Sequence, residues 1–562
     1  MWYKLTEADK NNLTFDPNTR LKVSYEISRE NGSYVNKFQN RIESYRNGVL
    51  QVYTIEPSRI IRELRKIRKN RTSKLGRFDF ETYTDFENIA VPYSCVTKIK
   101  IIDTVKNRKV YKDKIESFYL DEFNSSLDLV KRVIDEICHH DKSYWYAHNM
   151  GRFDGVFIVH ALCEMNLDFE VLWNGNSILS INIVHPKYGT KVTIRDSKAL
   201  LKGSLSELGK AFANVILKDK FPHKFASLAN INYIGKEPDD SFYTNGNKSD
   251  GLDNWDFKAK SLEYNMKDTL LLYDIIQRFS ISLWEDFHID MVSVQTVASL
   301  AISVYLSSFY DSVNKPIHHI SRNLESLIRE AYFGGICTVF KDHMDDCYYY
   351  DMTSQYPAAM LSDMPIGKPV AIANLEHYDI EKFFGFAYCE IEAPSYDVLP
   401  NLTLPRRVII NNREEVQLSR GKWTGWYFSE EIKDAIKYGY KVKLLSGVKF
   451  NRGKDVFTSY VNHFFKIKRE ETGVKKIFAK LMLNCLYGKW GMKERVEKMI
   501  VIRNGSYNEL DVNTRFIQKI NESYDLVSHR GKYNDELIKA LKNSDLVDES
   551  KGSSHAYGFY IC

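Results

Sequence analysis

The chain has 562 residues, of which 44% are hydrophobic and 27% charged, as in a globular protein of several domains. Its formal net charge of +6 is too small to establish a nucleic-acid partner. The eight cysteines include no C-x-x-C pair and no histidine at zinc-ligand spacing, which argues against a disulfide framework and a zinc site. The most apolar window, Met291–Tyr310, contains five serines, so it predicts a packed core helix, and no membrane partner is expected.

Residues 1–72 carry no recognisable chemical motif, but their end is strongly basic. Between Arg62 and Arg77 lie eight basic residues and a single acid, Glu63. We expect an extension that ends in a basic helix. Such a run is either a solvated face or a surface that follows nucleic-acid phosphates.

Two acidic residues follow in the stretch RFDFETYTDF. Asp79 and Glu81 are two residues apart on a predicted strand, so both side chains point to one face. Burying two carboxylates side by side is costly unless a cation neutralises them. An acidic strand edge that faces water is the alternative.

Two later stretches each add a carboxylate. In SYWYAHNMGRFDGVF, an aromatic strand leads to Asp154 near a predicted helix start, where helix capping is the alternative role. In LEYNMKDTLLLYDII, Tyr264 and Asp268 are four residues apart and therefore share one helix face. Together the four carboxylates suit a two-metal site that activates water and stabilises the leaving oxygen of a phosphodiester.

In order and type these residues resemble the DEDD-type 3′–5′ exonuclease domain of family B DNA polymerases. The motifs are D-x-E at Asp79 and Glu81, N-x₃-F-D ending at Asp154, and Y-x₃-D at Tyr264 and Asp268. The resemblance implies that the four carboxylates bind Mg²⁺ or Mn²⁺ and that Tyr264 orients the water. It also implies four contacts to the end of single-stranded DNA, from Thr82, His148, Asn149 and Phe153.

A five-residue stretch between these motifs, SLSEL, is similar to the family's S/T-L-x₂-h motif, which holds the DNA strand. The similarity implies DNA contacts for Ser204 and Leu205. A helix N-cap at Ser204 explains the stretch equally well.

The stretch CYYYDMTSQYPAAML contains the next candidate metal ligand. Cys347–Tyr350 carries neither charge nor turn signal and predicts a buried strand with Asp351 at its end. Pro357 stops a strand ladder and can open a helix at its first turn. Mg²⁺ prefers one or two carboxylates plus substrate oxygens, so Asp351 is a suitable ligand. A surface aspartate at a strand-to-turn junction is the alternative.

This stretch resembles polymerase motif A, D-x-x-S-x-Y-P, at Asp351, Ser354, Tyr356 and Pro357. The resemblance implies that Asp351 is a catalytic metal ligand, that Ser354 contacts DNA and that Tyr356 excludes the 2′-hydroxyl of a ribonucleotide by clash.

Upstream, EAYFGGICTVF resembles the Y-x-G-G motif between the exonuclease and polymerase domains. Two adjacent glycines permit close backbone approach, although a turn before a strand is the alternative. The resemblance implies template contacts from Tyr332, Gly334 and Gly335.

The stretch KKIFAKLMLNCLYGKWGM predicts a helix with one polar stripe. Lys476, Lys480, Asn484 and Tyr487 follow one another at spacings of four, four and three, and Gly488 is expected to end the helix in the left-handed conformation. Lysines suit a triphosphate, and a tyrosine ring can stack on a base. An ordinary amphipathic helix with exposed lysines is the alternative.

This helix resembles motif B, K-x₃-N-x₂-Y-G, with Cys485 where relatives usually have serine. The resemblance implies that the polar stripe binds dNTPs, with Lys468 as a second phosphate ligand and Gly488 in contact with DNA.

The resemblance covers about residues 73–495 and is to protein-primed family B polymerases of small phages and linear mitochondrial plasmids. It implies an α/β multi-domain fold, with an RNase H-like exonuclease domain followed by an incomplete palm and fingers. The expected segments are 1–72 (extension), 73–290 (exonuclease), 291–395 (linker and start of palm), 396–465 (palm continuation or insertion), 466–495 (fingers) and 496–562 (incomplete palm or insertion).

The expected activity is addition of dNTPs to a primer 3′-hydroxyl, with 3′–5′ proofreading. The implied partners are primer-template DNA, single-stranded DNA and a terminal priming protein; a mitochondrial location is favoured over a phage-infected cytoplasm. The third polymerase motif, with its D-T-D, is absent, so we expect a truncated chain. An exonuclease-only enzyme and a non-catalytic DNA-binding remnant are therefore kept as alternatives.

Overall fold

The computed structural model describes most of the chain from residue 29 to residue 530. The described residues are 29–30, 33–38, 41–46, 49–54, 60–64, 74–105, 108–213, 220–244, 249–320, 322–335, 342–343, 345–394, 403–410, 413–418, 420–492, 497–503 and 514–530.

A four-stranded antiparallel sheet comes first, and its strands pair in chain order. They are β1 (Arg29–Glu30), β2 (Ser33–Phe38), β3 (Arg41–Arg46) and β4 (Val49–Thr54).

The prediction of a basic helix is wrong at every position that the structure describes. Residues 62–64 are not helical, 74–77 belong to a strand, and 65–73 lie outside the described residues. Ile61 donates its N–H to Ile317 O (2.8 Å) and Leu64 donates to Leu306 O (3.0 Å). These donors are bound by another segment, so they are not available for bonds within a helix.

A seven-stranded sheet follows, with the order β7-β6-β5-β8-β11-β10-β9. β8 is parallel to β5 and β11, and the other neighbours are antiparallel. The elements are β5 (Lys74–Thr84), β6 (Ala90–Val105), β7 (Arg108–Tyr119), α1 (Ser126–Cys138), β8 (Ser143–Ala147), α2 (Asp154–Glu164), β9 (Asp168–Asn174), β10 (Ser177–His185) and β11 (Thr190–Asp196).

Helices cover both faces of this sheet. Phe78 and Phe80 of β5 pack with α1 and α2, while the long helix α4 lies against β5 and β6 on the opposite face. Because side chains alternate along a strand, Asp79 and Glu81 share the face toward α4, as predicted. The elements that complete this region are α3 (Leu205–Leu208), β12 (Ile234–Gly235), β13 (Trp255–Asp256) and α4 (Phe257–Phe287).

The rest of the described chain forms a four-stranded sheet, a hairpin, a three-stranded sheet and six helices around them. The strand orders are β14-β19-β15-β18, β16-β17 and β20-β22-β21. The elements are α5 (Val297–Ser308), α6 (Arg322–Glu330), α7 (Gln355–Ala359), β14 (Met364–Ile372), β15 (Gly385–Glu392), β16 (Pro405–Ile410), β17 (Arg413–Leu418), β18 (Lys422–Phe428), α8 (Ser429–Lys437), β19 (Lys441–Gly453), α9 (Thr458–Glu470), α10 (Gly473–Gly491), β20 (Glu497–Arg503), β21 (Thr514–Lys519) and β22 (Tyr524–Arg530).

One continuous apolar core joins α4 to α5, α9, α10 and the four-stranded sheet β14-β19-β15-β18. The predicted core helix is confirmed as α5, whose Leu300, Ala301 and Val304 are fully buried. It begins at Val297 because the Thr296 hydroxyl accepts the Ser299 N–H (3.2 Å) as a cap. Among the described helices, none combines the length and apolarity needed to cross a membrane.

Two local predictions are wrong. Cys347–Tyr350 is neither a strand nor buried: Tyr349 is 91% exposed, and no described strand pairs with the segment, whereas a buried strand needs neighbours on its hydrogen-bonding edges. Gly488 does not end its helix, because α10 continues to Gly491 with Trp490 fully buried against the core. Packing therefore outweighs the helix-breaking tendency of glycine.

Candidate active sites

The first candidate site lies where β5 passes beneath α4. Asp79 and Glu81 are largely buried there, so the alternative of an acidic edge facing water is wrong. The register of β5 against β6 shifts between Glu81 and Thr82. Such a bulge redirects side chains, and here it leaves Thr82 half-buried next to the acidic pair.

Asp154 joins this pair from the start of α2. Its Oδ1 accepts the backbone N–H of Phe80 (3.3 Å), so the carboxylate is turned toward β5. The N-cap position is held by Phe153, which makes no side-chain capping bond. Asp154 is therefore the first residue of α2 and not its N-cap, although its carboxylate also accepts its own backbone N–H. Phe153 itself lies 36% exposed beside the site.

Helix α4 supplies Tyr264 and Asp268, which interact with each other through their side chains. Asn265 donates from Nδ2 to Asp79 O (3.1 Å) and so fixes the helix to the strand. The Tyr264 ring packs against those of Phe221 and His223, with centroids 5.4 and 5.1 Å away.

The four carboxylates lie close enough together to raise one another's pKa values. Burial and the charges of Asp154, Glu81 and Asp268 raise the pKa of Asp79 well above its usual value. Burial with Asp268 and Asp154 raises the pKa of Glu81 to about 8, and burial raises that of Asp154 to about 7. Burial and Asp268 also raise the pKa of Tyr264, which keeps its hydroxyl protonated. A cation would relieve this repulsion.

The donor chemistry of the site fits Mg²⁺ or Mn²⁺. All four candidate ligands offer carboxylate oxygens, which hard cations prefer. Within the part of the chain that the structure describes, no group of three or more acidic, histidine or cysteine side chains is arranged to hold a metal ion. The four carboxylates are therefore near one another but not preassembled as a metal site.

The turn between β8 and α2 is held from β11 by residues that sequence reasoning missed. Asp196 accepts the backbone N–H groups of Asn149 (3.0 Å) and Gly151 (3.2 Å), with Asn149 in the left-handed region at φ 69°. His148 bonds the Ser197 hydroxyl through Nδ1 (3.0 Å). In the sequence, Asp196 and Ser197 stand at the end of a strand. Because they belong to no recognised motif, sequence reasoning did not single them out.

The stretch SLSEL, which resembles a motif that holds the DNA strand, forms a helix cap. Ser204 Oγ accepts the Glu207 N–H (3.3 Å), while Glu207 accepts the Ser204 N–H (2.8 Å). This reciprocal cap confirms the alternative, and Leu205 packs partly buried against the main core. Gly203 O, just before the cap, accepts a hydrogen bond from His148 Nε2 (3.0 Å), which places the segment beside the first site.

The second candidate site forms where α7, α9 and α10 meet. Lys468 of α9 donates to the hydroxyl of Ser354, and the rings of Tyr356 and Tyr487 stack. Ser354 precedes α7 in the left-handed conformation (φ 56°), and Pro357 lies in the first turn of the helix as predicted. The structure thus brings together the two stretches that resemble motifs A and B.

The polar stripe of α10 is present. Lys476 and Lys480 are exposed and Asn484 is half-buried, while Met482, Leu483 and Leu486 face the core. A side chain added at Gly488 would meet no atom within 4 Å, so the helix is open there.

Asp351 stands apart from this cluster of contacts. It is exposed, and its neighbours Tyr350 and Met352 are 87% and 74% exposed. The structure does not place it in a described group of three or more metal-binding side chains.

Two arginines connect the residues before the paired glycines to other segments of the chain. Arg407 of β16 donates to Glu330 O and Tyr332 O, and Arg329 of α6 donates to Met492 O (3.1 Å), just past α10. Gly334 and Gly335 are exposed with open space above them. The strand expected after them lies outside the described residues.

Comparisons with known proteins agree with these motifs. The family described as DNA polymerase type B, organellar and viral, matches residues 134–556. A probable DNA polymerase of Agaricus bitorquis is 32% identical over 413 residues, which are 70% of this chain and 51% of that protein. One of Podospora anserina is 26% identical over 549 residues, 86% of this chain and 44% of that protein. The chain spans about half the length of these curated relatives.

Solved structures show the same fold. Phi29 DNA polymerase complexed with primer-template DNA and incoming nucleotide matches with a TM-score of 0.55 at 18% identity, covering 84% of this chain and 82% of that one. This likeness confirms the predicted α/β multi-domain fold, which resembles that of the Phi29 polymerase. The family match extends over three quarters of the sequence. The chain therefore belongs to the organellar and viral family of type B DNA polymerases.

Proposed function

We propose that the chain acts as a protein-primed DNA-directed DNA polymerase with 3′–5′ exonuclease proofreading. The observation that carries the proposal is the convergence of Asp79, Glu81, Asp154 and Asp268 from three separate elements into one partly buried cluster. So costly an arrangement of like charges is retained where cations and a phosphodiester are bound.

In the proposed exonuclease site, the chain's own residues bind and orient the DNA end. Bound Mg²⁺ or Mn²⁺ supplies neutralising charge and lowers the pKa of the attacking water. The protonated Tyr264 hydroxyl is a donor that can orient this water. The turn that carries His148, Asn149 and Phe153, together with Thr82, surrounds the terminal nucleotides of a single strand, with the exposed Phe153 ring available for stacking on a base.

In the proposed polymerase site, the stripe of α10 and Lys468 bind the triphosphate of a dNTP. Lys480 and Lys476 are solvent-exposed point charges at helical spacing, which suits a flexible polyphosphate. Tyr356 lies against Tyr487, so the two rings bound the space for the incoming sugar and base. Tyr332, Gly334, Gly335 and Gly488 are the proposed contacts to the template backbone, and Asp351 is the proposed metal ligand for nucleotidyl transfer.

An exonuclease without polymerisation is the second candidate. It is favoured by the contrast between the two sites, since four carboxylates converge in the first while Asp351 is exposed and apart from other ligands in the second. Two-metal transfer needs more than one carboxylate. A DNA-binding remnant would have neither activity.

Two assays on the purified chain separate these functions. With Mn²⁺ and a labelled single strand, we expect stepwise 3′–5′ degradation that falls at least about 100-fold in Asp79→Asn and Asp268→Asn, with Asp253→Asn as an exposed control. With primer-template and dNTPs, extension identifies the polymerase. Degradation without extension identifies the second candidate, and neither activity in folded protein overturns the proposal.

The cellular setting follows from the family, which is organellar and viral. Because the matched relatives include fungal proteins, we favour a plasmid-borne polymerase of mitochondria over one of a phage-infected cell. A terminal protein that offers a hydroxyl as primer is the expected partner. Without this terminal protein, DNA synthesis on a blunt linear template should not initiate, whereas extension of an existing primer should proceed.

A further inference from the structure

A row of buried cations crosses the seven-stranded sheet on the face covered by α4. Arg77 of β5 is paired in register with Lys98 of β6 and with Tyr146 of β8, and Tyr146 is paired with Arg195 of β11. Directly paired residues point to the same face of a sheet. Arg77 and Tyr146 are completely buried, and Lys98 and Arg195 are each 8% exposed.

The two ends of this row are bound to oxygen atoms of other segments, whereas several polar atoms at its centre have no partner among the described residues. Lys98 forms a salt bridge with Asp113 (3.3 Å), and Arg195 donates from Nη1 to Val292 O (2.7 Å). Arg77 donates from Nη1 to Gly76 O, while its Nε and Nη2 have no hydrogen-bond partner in the described part of the chain. The Tyr146 hydroxyl and Arg195 Nε are unpaired in the same way.

Aromatic rings compensate only part of this charge. The Arg77 guanidinium lies 4.9 Å from the centre of the Tyr146 ring and 5.7 Å from that of Tyr273 on α4. Burial lowers the pKa of Arg77 to about 9, so the group is still a cation at neutral pH. A buried cation without a counter-charge is strongly unfavourable.

The unpaired groups converge on the tyrosine hydroxyl. The charges of Arg195 and Arg77 both act on Tyr146 and oppose the rise in its pKa that burial causes. Arg195 lies close enough to the hydroxyl for their side chains to interact, although the Tyr146 hydroxyl makes no hydrogen bond of good geometry.

We propose that Arg77, Tyr146 and Arg195 form a buried binding site for a small monovalent inorganic anion of the chloride class. The unpaired atoms are three guanidinium nitrogens, which together carry four N–H groups, and one hydroxyl; an anion can accept hydrogen bonds from all of them without donating in return. A water molecule must also donate two hydrogens, and the hydroxyl oxygen is the single acceptor among these unpaired atoms. Complete burial under α4 excludes nucleotides and DNA phosphates.

The anion would link three strands beneath the helix that carries Tyr264 and Asp268. Arg77 also lies two residues before Asp79 on the same face of β5. Occupancy should therefore stabilise the exonuclease half of the chain whether or not that half is catalytic, so the inference does not depend on the proposed function.

Crystals of the full chain soaked in bromide give the direct test. We expect an anomalous peak within hydrogen-bond distance of Arg77 Nη2 and the Tyr146 hydroxyl. A non-anomalous water at this position, or no density, overturns the proposal. Bromide peaks confined to surface lysines count as adventitious ions only and also overturn it.

Thermal unfolding at constant ionic strength gives a test in solution. When gluconate is replaced by chloride, we expect a saturable rise in melting temperature, with the folded-to-unfolded ratio growing about tenfold for each tenfold chloride above Kd. Arg77→Met should abolish this response and the exposed control Arg278→Met should retain it. If Arg77→Met fails to fold, Tyr146→Phe, which keeps the ring, should weaken the response. An unchanged response in these variants would count against the site.

Discussion

The rings of Tyr356 and Tyr487 lie nearly parallel, with centroids 4.3 Å apart and planes inclined by 16°. Tyr356 belongs to α7, the short helix after Asp351, and Tyr487 belongs to α10, much further along the chain. The stack therefore fixes the two elements that we propose to enclose the incoming nucleotide.

We expect Tyr356→Val to relax the preference for dNTPs over rNTPs by about tenfold or more, because a pocket wall that acts by clash is removed. Equilibrium binding of dATP and ATP to the complex with primer-template measures the preference. Tyr356→Phe keeps the ring and should keep the wild-type ratio. Equal ratios in the valine and wild-type proteins would contradict the steric role of Tyr356.

Gly488→Ala should raise the stability of the protein and weaken its binding to DNA. A methyl group at this position meets no atom within 4 Å, and alanine favours the helix interior by roughly 0.5–1 kcal/mol over glycine. We expect a higher melting temperature together with weaker binding to primer-template, measured by fluorescence anisotropy, because the added methyl fills the space proposed for the template. Tighter or unchanged binding would show that DNA does not approach Gly488.

Stability of the metal-free protein should fall as pH rises. Glu81 has its pKa raised from 4.5 to about 8, and Asp154 has its pKa raised from 3.8 to about 7. Between these limits the folded state holds protons that the unfolded state has released, so raising the pH favours unfolding. In EDTA we expect the melting temperature to drop from about pH 5 to about pH 8.

Mn²⁺ should reverse most of this loss, because a cation favours the ionised carboxylates. The rise in melting temperature on adding Mn²⁺ should be larger at about pH 8 than at about pH 5, and Glu81→Gln should reduce the difference. An equal rise at both pH values would mean that the ion binds elsewhere.

Asp196→Ala should impair exonuclease activity without removing a metal ligand. The carboxylate accepts the N–H groups of Asn149 and Gly151, so its loss frees the turn that is proposed to hold the DNA end. We expect KM for a single strand to rise about 10- to 100-fold with a smaller change in kcat. Asp141→Ala, on the neighbouring turn, is the control; a pure kcat effect would assign Asp196 a different role.

Regular elements with strong periodicity could be predicted from the sequence. The shared face of Asp79 and Glu81 followed from strand alternation, and that of Tyr264 and Asp268 from helical spacing. Their convergence with Asp154 followed from the family resemblance alone, because no local pattern fixes how distant elements pack.

The failures have a common physical cause. Three tyrosines and a cysteine are apolar enough for a buried strand, but burial depends on neighbours that the local sequence does not specify. Gly488 looked like a helix end because glycine disfavours helices, yet the burial of Trp490 decides the outcome. Asp196 and Ser197 were missed since their partners are about fifty residues away.

Hydrogen bonds from two arginines connect the backbone before Gly334 and Gly335 to α10 and to the β16–β17 hairpin. Arg329 of α6 binds the Met492 carbonyl just beyond α10, and Arg407 of the β16–β17 hairpin binds the carbonyls of Glu330 and Tyr332. A rotation of α10 would therefore have to break these hydrogen bonds or displace α6 and the backbone that leads to Gly334 and Gly335.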